Sequence, residues 1–461
     1  MEAKKLLTLA LTGLLAGGCL MVPALAEDAD GQSGGNPATY TIPARVKRIE
    51  DYAFAGDTTL ERVKIPDGVT EIGDYAFSGC TNLQEIELPD GLTKIGNHAF
   101  DGCTALVRLG DMNQLESIGE YAFSGCEALE SIGDMPKLQT IGNYAFAEQT
   151  VTDEDSGTST TVSCKSLKTV GNLDSVTRIG SEAFSGCREL ESIGALPNVT
   201  RIAFGAFQDC EKLKKVEGLG KLMAINRNTF TGCTSLKSIG NLLNVTSIGD
   251  SAFAGCASLE SVGNLQNVKS IGNSAFGSYT YYDENNNKYT DAYCSALKQI
   301  GDMPKLETIG KSAFYGCSSL ARVGDLSSVT SIGNSAFNDC SSLASVGDLS
   351  NVTSIGDWAF YHCSSLASMG DLSNVTSIGR QAFSGCSALA SVGDLSSVTS
   401  IEAMAFYGCS SLESVGDLRN VTSIGDFAFH RCSALTLRVL PNSYAENYAK
   451  SNSIPYTYIE D

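Results

Sequence analysis

Apolar residues recur along this chain in steps of mostly three, and the pattern closes on itself at one fixed period. Phenylalanine marks the register, with a spacing of 23: it stands at 54, 77, 100, 123 and 146, then 184, 207, 230, 253 and 276, then 314, 337, 360, 383, 406 and 429, which makes 16 units. An isoleucine stands five residues before every one of these, from Ile49 to Ile424, and a leucine follows each Phe by six residues, or by 21 in two interrupted units. Alanine precedes the Phe in 15 units, with Thr229 the exception, and cysteine follows by three residues in most. One regular unit carries Leu366, Met369, Leu372, Val375, Ile378, Ala382, Phe383 and Cys386. Steps of three fit neither a long amphipathic helix nor a simple alternating strand. A unit this short cannot bury its own apolar face, whereas stacked units can, so the period predicts a repeat solenoid with one rung of Leu, Val, Ile, Phe and Cys per coil. Two short extended pieces per coil are expected, around Leu366–Met369 and Val375–Ile378, with Gly379 turning the chain into a tight, single-turn corner at Ala382 and Phe383. Coils are expected about 4.8 Å apart, as strands are in any sheet, and gently curved for want of a long outer helix.

The segment before Glu27 breaks this pattern. Lys4 and Lys5 precede an apolar stretch over residues 6–22, and Ala24-Leu25-Ala26 offers small residues where a signal peptidase reads. This predicts a signal peptide cleaved after Ala26 and a secreted or cell-surface protein. Lipidation at Cys19 is the alternative, disfavoured because Leu15 lies one place too far upstream. A flexible segment (27–43), the solenoid (44–440) and a C-terminal cap (441–461) are expected to follow.

Composition narrows the function. Asp and Glu number 52 against 32 Lys and Arg, a formal net charge of −20, which is unsuited to nucleic acid or an anionic membrane surface. Only three histidines occur, His98, His362 and His430, too few for an imidazole-based metal or catalytic site. No phosphate-binding loop, nucleophile elbow or His-Glu-x-x-His motif is present, so neither an enzyme nor a cofactor is expected.

The unit Leu83, Ile86, Leu88, Pro89, Leu92, Ile95, Gly96, Ala99, Phe100, Cys103 resembles the BspA-like leucine-rich repeat family position for position, and the likeness spans about residues 44–440. Asn442–Lys450 resembles the helical end piece common in that family. The resemblance implies a leucine-rich repeat array of short parallel strands and tight corners. It also implies an exported protein of host-associated microbes, several relatives being adhesins that bind matrix proteins or other cells. After the first two full units the Pro is lost, and Val-Gly-Asp-Leu, as at Val392–Leu395, replaces Ile-x-Ile-Pro. That keeps the fold but changes the strand surface.

Fifteen cysteines past Cys19 share one repeat position. Neighbouring side chains about 4.8 Å apart overshoot the ~3.8 Å between bridged Cβ atoms, so buried free thiols are expected rather than disulfides. No histidine or second cysteine lies at zinc-ligand spacing.

Positions that repeat serve packing, and positions that break the repeat are candidates for recognition. Two 15-residue inserts, within 147–163 and 277–293, precede the cysteine position. Both read as hairpins leaving one edge about 24 Å apart. The first is rich in Thr, Ser and acid, the second in tyrosine: Tyr279, Tyr281, Tyr282, Tyr289 and Tyr293. An aromatic stripe marks the Ala-Phe corner. Tyr52, Tyr75, His98, Tyr121 and Tyr144 form its N-terminal part, and Tyr315, Trp358, Tyr361, His362, Tyr407, Phe427 and His430 its C-terminal part. The C-terminal group and the tyrosines of the second insert are the candidate partner-binding residues, because exposed aromatics favour protein or sugar contacts. An acidic row, Asp302, Asp325, Asp348, Asp371, Asp394 and Asp417, reads as Asx turns rather than as a calcium site. The Asn-x-Thr triplets at Asn198, Asn244, Asn351, Asn374 and Asn420 follow from the repeat. The expected function is non-enzymatic binding of a protein on a host or neighbouring cell. A carbohydrate-binding module and a ligand-free spacer are the alternatives.

Overall fold

The structure is a computed structural model, and it describes residues 39–152, 159–283 and 287–459. The expected signal peptide, Cys19 and most of the segment expected to be flexible lie outside the described residues.

Each coil contributes two short extended pieces, and each piece stacks in parallel on its counterpart in the next coil. The first ladder joins seven strands, from Thr39–Thr41 through Arg62–Lys64 and Glu85–Glu87 to Ser192–Ile193. The second ladder joins Arg48–Ile49 through Arg201–Ile202, then resumes as nine strands from Ala224–Ile225 to Ser423–Ile424. Register is fixed by the inward isoleucine: Ile49 pairs with Ile72, Ile72 with Ile95, and so on to Ile401 with Ile424. A slip of one residue would turn that side chain to solvent.

Sequence sets the quality of the first ladder. Where the unit reads Ile-x-Ile-Pro or its like, strands are three residues long, as at Arg62–Lys64 and Glu85–Glu87. Where Val-Gly-Asp takes over, only single parallel bridges remain, Ser345 to Ser368 to Ser391 to Ser414. Glycine weakens a strand interior, and here Gly393 and Gly416 adopt left-handed φ values of 74° and 69°. Both ladders are interrupted in one stretch. A short 3-10 turn at Leu219–Lys221 follows Gly218 at φ 84°, and the residue after Ile202 is Ala203 rather than glycine.

The corner is a train of turns interleaved with bonds between coils. In one coil the N–H groups of Ala382, Ser384 and Cys386 donate three residues back, to Gly379, Gln381 and Phe383. Those of Gln381, Phe383 and Gly385 donate to Ala403, Ala405 and Tyr407 of the next coil. Turn and stack thus take alternate donors, and this run of buried backbone is satisfied throughout. The alternation places two residues per coil in the left-handed region, two before and two after the Phe: Gln381 at φ 53° and Gly385 at φ 80° here.

The core is one continuous cluster. The sixteen phenylalanines from Phe54 to Phe429 stack as a single column, with ring centroids 5.0–5.5 Å apart and planes within 13°. Beside it runs the thiol ladder. All fifteen repeat cysteines are free, and all but Cys432 are fully buried. Each thiol donates to the carbonyl of the preceding coil's Phe at 2.9–3.4 Å, as Cys80 Sγ does to Phe54 O and Cys256 Sγ to Phe230 O. The repeated cysteine is thus a small apolar filler that also satisfies an inward carbonyl.

Polar side chains staple the outside. Five of the six residues of the acidic row form the expected Asx turns: Asp325, Asp348, Asp371, Asp394 and Asp417 each accept the N–H two residues on, whereas Asp302 has Pro304 at that place, which has no N–H, and accepts from the Asp325 N–H of the next coil at 3.4 Å. The amides of Asn198, Asn244, Asn351, Asn374 and Asn420 donate to carbonyls of the preceding coil at 2.6–2.7 Å. Each Asn-x-Thr triplet therefore contains an inter-coil staple.

The ladder runs past the sixteen sequence units at both ends. Thr39–Thr41, assigned from sequence to the flexible segment 27–43, pairs in register with Arg62–Lys64, and Tyr40 packs edge-on against Phe54 at 5.7 Å. The aromatic of this Thr-Tyr-Thr piece supplies what the rung needs. At the other end Leu437–Val439 pairs in parallel with Tyr456–Tyr458, and helix Tyr444–Ser451 lies between them in sequence. Ser443 caps that helix by accepting the Glu446 N–H at 3.1 Å, and the Glu446 carboxylate reaches back to the Asn442 N–H at 2.7 Å.

Candidate functional site

The candidate residues all lie on the corner, so its geometry decides what they present. Successive coils place identical positions one above the other, and bulky side chains at one position must stack. In the N-terminal part this is complete. Tyr52, Tyr75, His98, Tyr121 and Tyr144, each two residues before the Phe and each at φ 52–60°, form a second aromatic column. Ring centroids are 4.8, 4.4, 4.7 and 4.7 Å apart, with planes within 10°. Every inner ring has both faces covered, and only edges and hydroxyls look outward. His98 Nδ1 lies 2.9 Å from Asp101 Oδ2, and the Tyr144 hydroxyl donates to Glu182. Burial raises the Asp101 carboxyl above its ordinary range, partly offset by His98.

The C-terminal part is irregular, because different positions carry the rings. Tyr361 and His362 stack at 3.9 Å. His362 Nδ1 lies 3.3 Å from Asp339 Oδ1, and Trp358 Nε1 donates to Gln381 Oε1 at 2.9 Å. Tyr407 stacks with His430 at 5.5 Å and carries the Arg431 guanidinium 5.4 Å from its ring centre. Phe427, 54% exposed, meets His430 edge-on at 5.6 Å. The structure therefore brings Trp358, Tyr361 and His362 to adjoining places on one coil, and Tyr407, Phe427 and His430 to adjoining places on two others. Tyr315 stands apart, edge-on to Tyr293 of the second insert at 5.7 Å.

Both inserts form antiparallel hairpins, Gln149–Thr152 with Ser159–Val162 and Tyr279–Asp283 with Lys288–Ala292. Their connecting residues 153–158 and 284–286 lie outside the described residues. The second hairpin does not project freely. Tyr279 lies back along the corner towards the N-terminus, and its hydroxyl donates to Asp209 Oδ2 at 3.1 Å, across 70 residues of sequence. The two glycines between make this close approach feasible. A Cβ added at Gly255 would stand 2.7 Å from Tyr279 Cβ and 3.3 Å from Ala292 Cβ, and one at Gly232 would stand 3.1 Å from Tyr279 Cε1. Burial pushes the Tyr279 phenol up, and the nearby Asp209 carboxylate adds to it; burial likewise raises Asp209. Tyr281 stacks on Tyr279 at 6.5 Å, Tyr282 is in register with Tyr289, and Tyr289 is 76% exposed.

Sequence reasoning missed Asp209 and Asp339. Both occupy the place two residues after the Phe, where glycine is the rule, and both are held left-handed, at φ 57° and 59°. A residue other than glycine at that register was the signal. Missed too was the apolar exposure around the ladder interruption: Met223, 56% exposed, and Phe204, 36% exposed with the Arg227 guanidinium 5.9 Å from its centre. Among the described residues no group of three or more His, Cys, Asp or Glu is placed to hold a metal ion, and no helix is long and apolar enough to cross a membrane.

Comparison with known proteins agrees with this architecture. The family model described as "BspA type Leucine rich repeat region (6 copies)" matches residues 35–152, 157–282, 287–413 and 371–459. No curated protein is recognisably similar in sequence. Among solved structures, a leucine-rich repeat protein from Bacteroides ovatus is 26% identical over 93% of this chain and 94% of its own, with a TM-score of 0.54. A leucine-rich cell surface protein from Faecalibacterium prausnitzii is 26% identical over 74% of this chain and 86% of its own, with a TM-score of 0.39. A leucine-rich repeat protein of T. pallidum is 32% identical over 38% of this chain and 77% of its own, with a TM-score of 0.33. With a family model matching nearly the whole solenoid, and its two ladders and corner laid out above, the chain belongs to the BspA-type leucine-rich repeat family.

Proposed function

We propose that this protein is an exported, non-catalytic binding module that grips a partner protein on a host or neighbouring cell through its corner. One observation carries the reading: the rungs are uniform, whereas in the C-terminal part of the corner the rings change position from coil to coil, with His362, Phe427 and His430 exposed there and Tyr289 exposed on the second hairpin. Trp358, Tyr361, His362, Tyr407, Phe427, His430 and Tyr289 there offer the mixture of aromatic surface and hydrogen-bonding edges that suits protein interfaces. A repeat surface supplies an extended contact area and no deep cleft in which to shift a catalytic pKa. The stacking geometry weighs against a sugar platform. A sugar needs an open ring face, and the faces of Tyr75, His98 and Tyr121 are covered by their neighbours, while Tyr361 lies on His362 and Tyr407 carries Arg431.

The test is binding of the purified chain to a panel of matrix proteins and glycans, beside a Trp358→Ala/Tyr361→Ala double variant. Saturable protein binding weakened by the variant is expected. Binding confined to glycans would replace the reading with a lectin-like one, and no binding on either panel would favour a spacer.

A further inference from the structure

Three corner glycines are seats for tyrosine rings. Tyr279 lies across Gly255 and Gly232 and ends on the Asp209 carboxylate, and Tyr293 covers Gly316. The same register holds a second track nearer the C-terminus. Asp339 and His362 occupy the glycine position in consecutive coils, at φ 59° and 57°, followed by Gly385 and Gly408. A Cβ at Gly408 would meet nothing nearer than the Gly385 backbone nitrogen at 4.0 Å, so among the described residues no side chain lies on it. At Gly385 the nearest atoms are those of His362, with Cδ2 at 2.5 Å and Nε2 at 3.3 Å from a Cβ placed there. His362 therefore closes the end of this track as Asp209 closes the occupied one. Its Nδ1 faces Asp339 at 3.3 Å. Nε2, the ring nitrogen away from Asp339, is turned to the glycines and accepts a hydrogen bond when it carries no proton.

We infer that Gly408, Gly385 and His362, backed by Asp339, form a binding site for a tyrosine side chain of a partner protein. The phenol ring lies over the two glycines beside Tyr407, and its hydroxyl donates to His362 Nε2. The site rests on the reading of the corner as a protein-binding surface and names the partner group it takes. The precedent is internal: the chain's own Tyr279 is held this way by Gly255, Gly232 and Asp209. In repeat register Asp339 matches Asp209, His362 matches Gly232 and Gly385 matches Gly255, so this track lies one coil further along than the occupied one.

The experiment uses the full chain, whose three histidines give three imidazole signals in NMR spectra, with His362 assigned by its loss in His362→Asn. N-acetyltyrosinamide is the probe and N-acetylphenylalaninamide the control. The tyrosine amide is expected to shift the His362 signal saturably and leave His98 still, with the phenylalanine amide at least ~tenfold weaker for want of one hydrogen bond. Gly408→Asn fills the seat with a residue that tolerates left-handed φ, and it should abolish the His362 shift without disturbing the distant His98. No shift, equal shifts from both amides, or a shift that survives Gly408→Asn would each overturn the assignment. Matrix-protein binding untouched by Gly408→Asn would overturn it while leaving the broader reading intact. A tyrosine-specific shift with no protein bound on the panel would do the reverse.

Discussion

The thiol ladder makes a quantitative prediction about reactivity. Alkylation requires the thiolate, and burial suppresses it: Cys80 and Cys164 are pushed up to about 12, chiefly by desolvation. At pH 8 an unfolded thiol with a pKa near 8.5 is roughly one quarter ionised, whereas one near 12 is ionised about once in 10⁴, a handicap of roughly two-thousandfold before access is considered. Cys432 is the exception. It is only half-buried, so its thiolate is less suppressed and more accessible than those of the fully buried thiols. Native protein treated with iodoacetamide at pH 8 and mapped by mass spectrometry should label Cys432 well ahead of the thirteen buried repeat cysteines whose thiols burial raises, which should be slower by three orders of magnitude or more. In denaturant all fifteen should label. Fewer than a few free thiols after denaturation would show that disulfides exist. Native labelling of those thirteen within about tenfold of the denatured rate would show that they are neither desolvated nor held by the Phe carbonyls.

The remaining predictions concern the core, the hairpin and the cap. Phe253→Ala, in the middle of the ring column, should destabilise by about 3–5 kcal/mol in denaturant titration, and Phe54→Ala, at the half-buried end, by clearly less. Tyr279→Phe leaves the half-buried Asp209 carboxylate without its phenol donor, with Gln208 Nε2 still donating to it, at a local cost of about 1 kcal/mol. Faster proteolysis of the second hairpin with unchanged global unfolding is the expected reading, and an unaltered cleavage rate would remove the lock from the account. Glu446 is pulled down to about 2 by the Lys450 ammonium, the Tyr458 hydroxyl and the Asn442 N–H. Its folded pKa lies below its unfolded one, so its contribution is complete above the usual glutamate range and fades as pH falls towards 2. Thermal unfolding followed from pH 5 to 2 should show that loss in the native chain and not in Glu446→Gln.

Most of the fold was legible because each rung repeats its reasons. Ile five before Phe fixes the register, the residue before Phe is a small one (Ala in 15 units, Thr229 in the other) that is buried in the corner in every unit but the first, and 15 cysteines at one position already argued for a thiol ladder. The hairpins were legible from their polar turns and β-prone flanks. The destination of Tyr279 was not: Asp209 lies 70 residues away, and only the stacking of coils makes them neighbours. Nor could the aromatic stripe be divided from sequence into covered and open rings. Tyr75 and Tyr407 look alike in one dimension, yet the first is stacked between two rings and the second leans on one imidazole and one guanidinium. The interruption near Met223 was signalled by Ala203 and Thr229, two departures from the repeat whose effect on both ladders needs the backbone to be seen.

The claim that recognition belongs to the irregular corner is tested most directly by hydrogen–deuterium exchange of the chain with and without a protein that it binds. Protection is expected over Trp358–His362, Tyr407–Arg431 and the strands of the second hairpin, with the Thr and Ser faces of the same coils unchanged. Protection spread evenly along the ladders, or confined to the coils of Phe77 to Phe146, would contradict it.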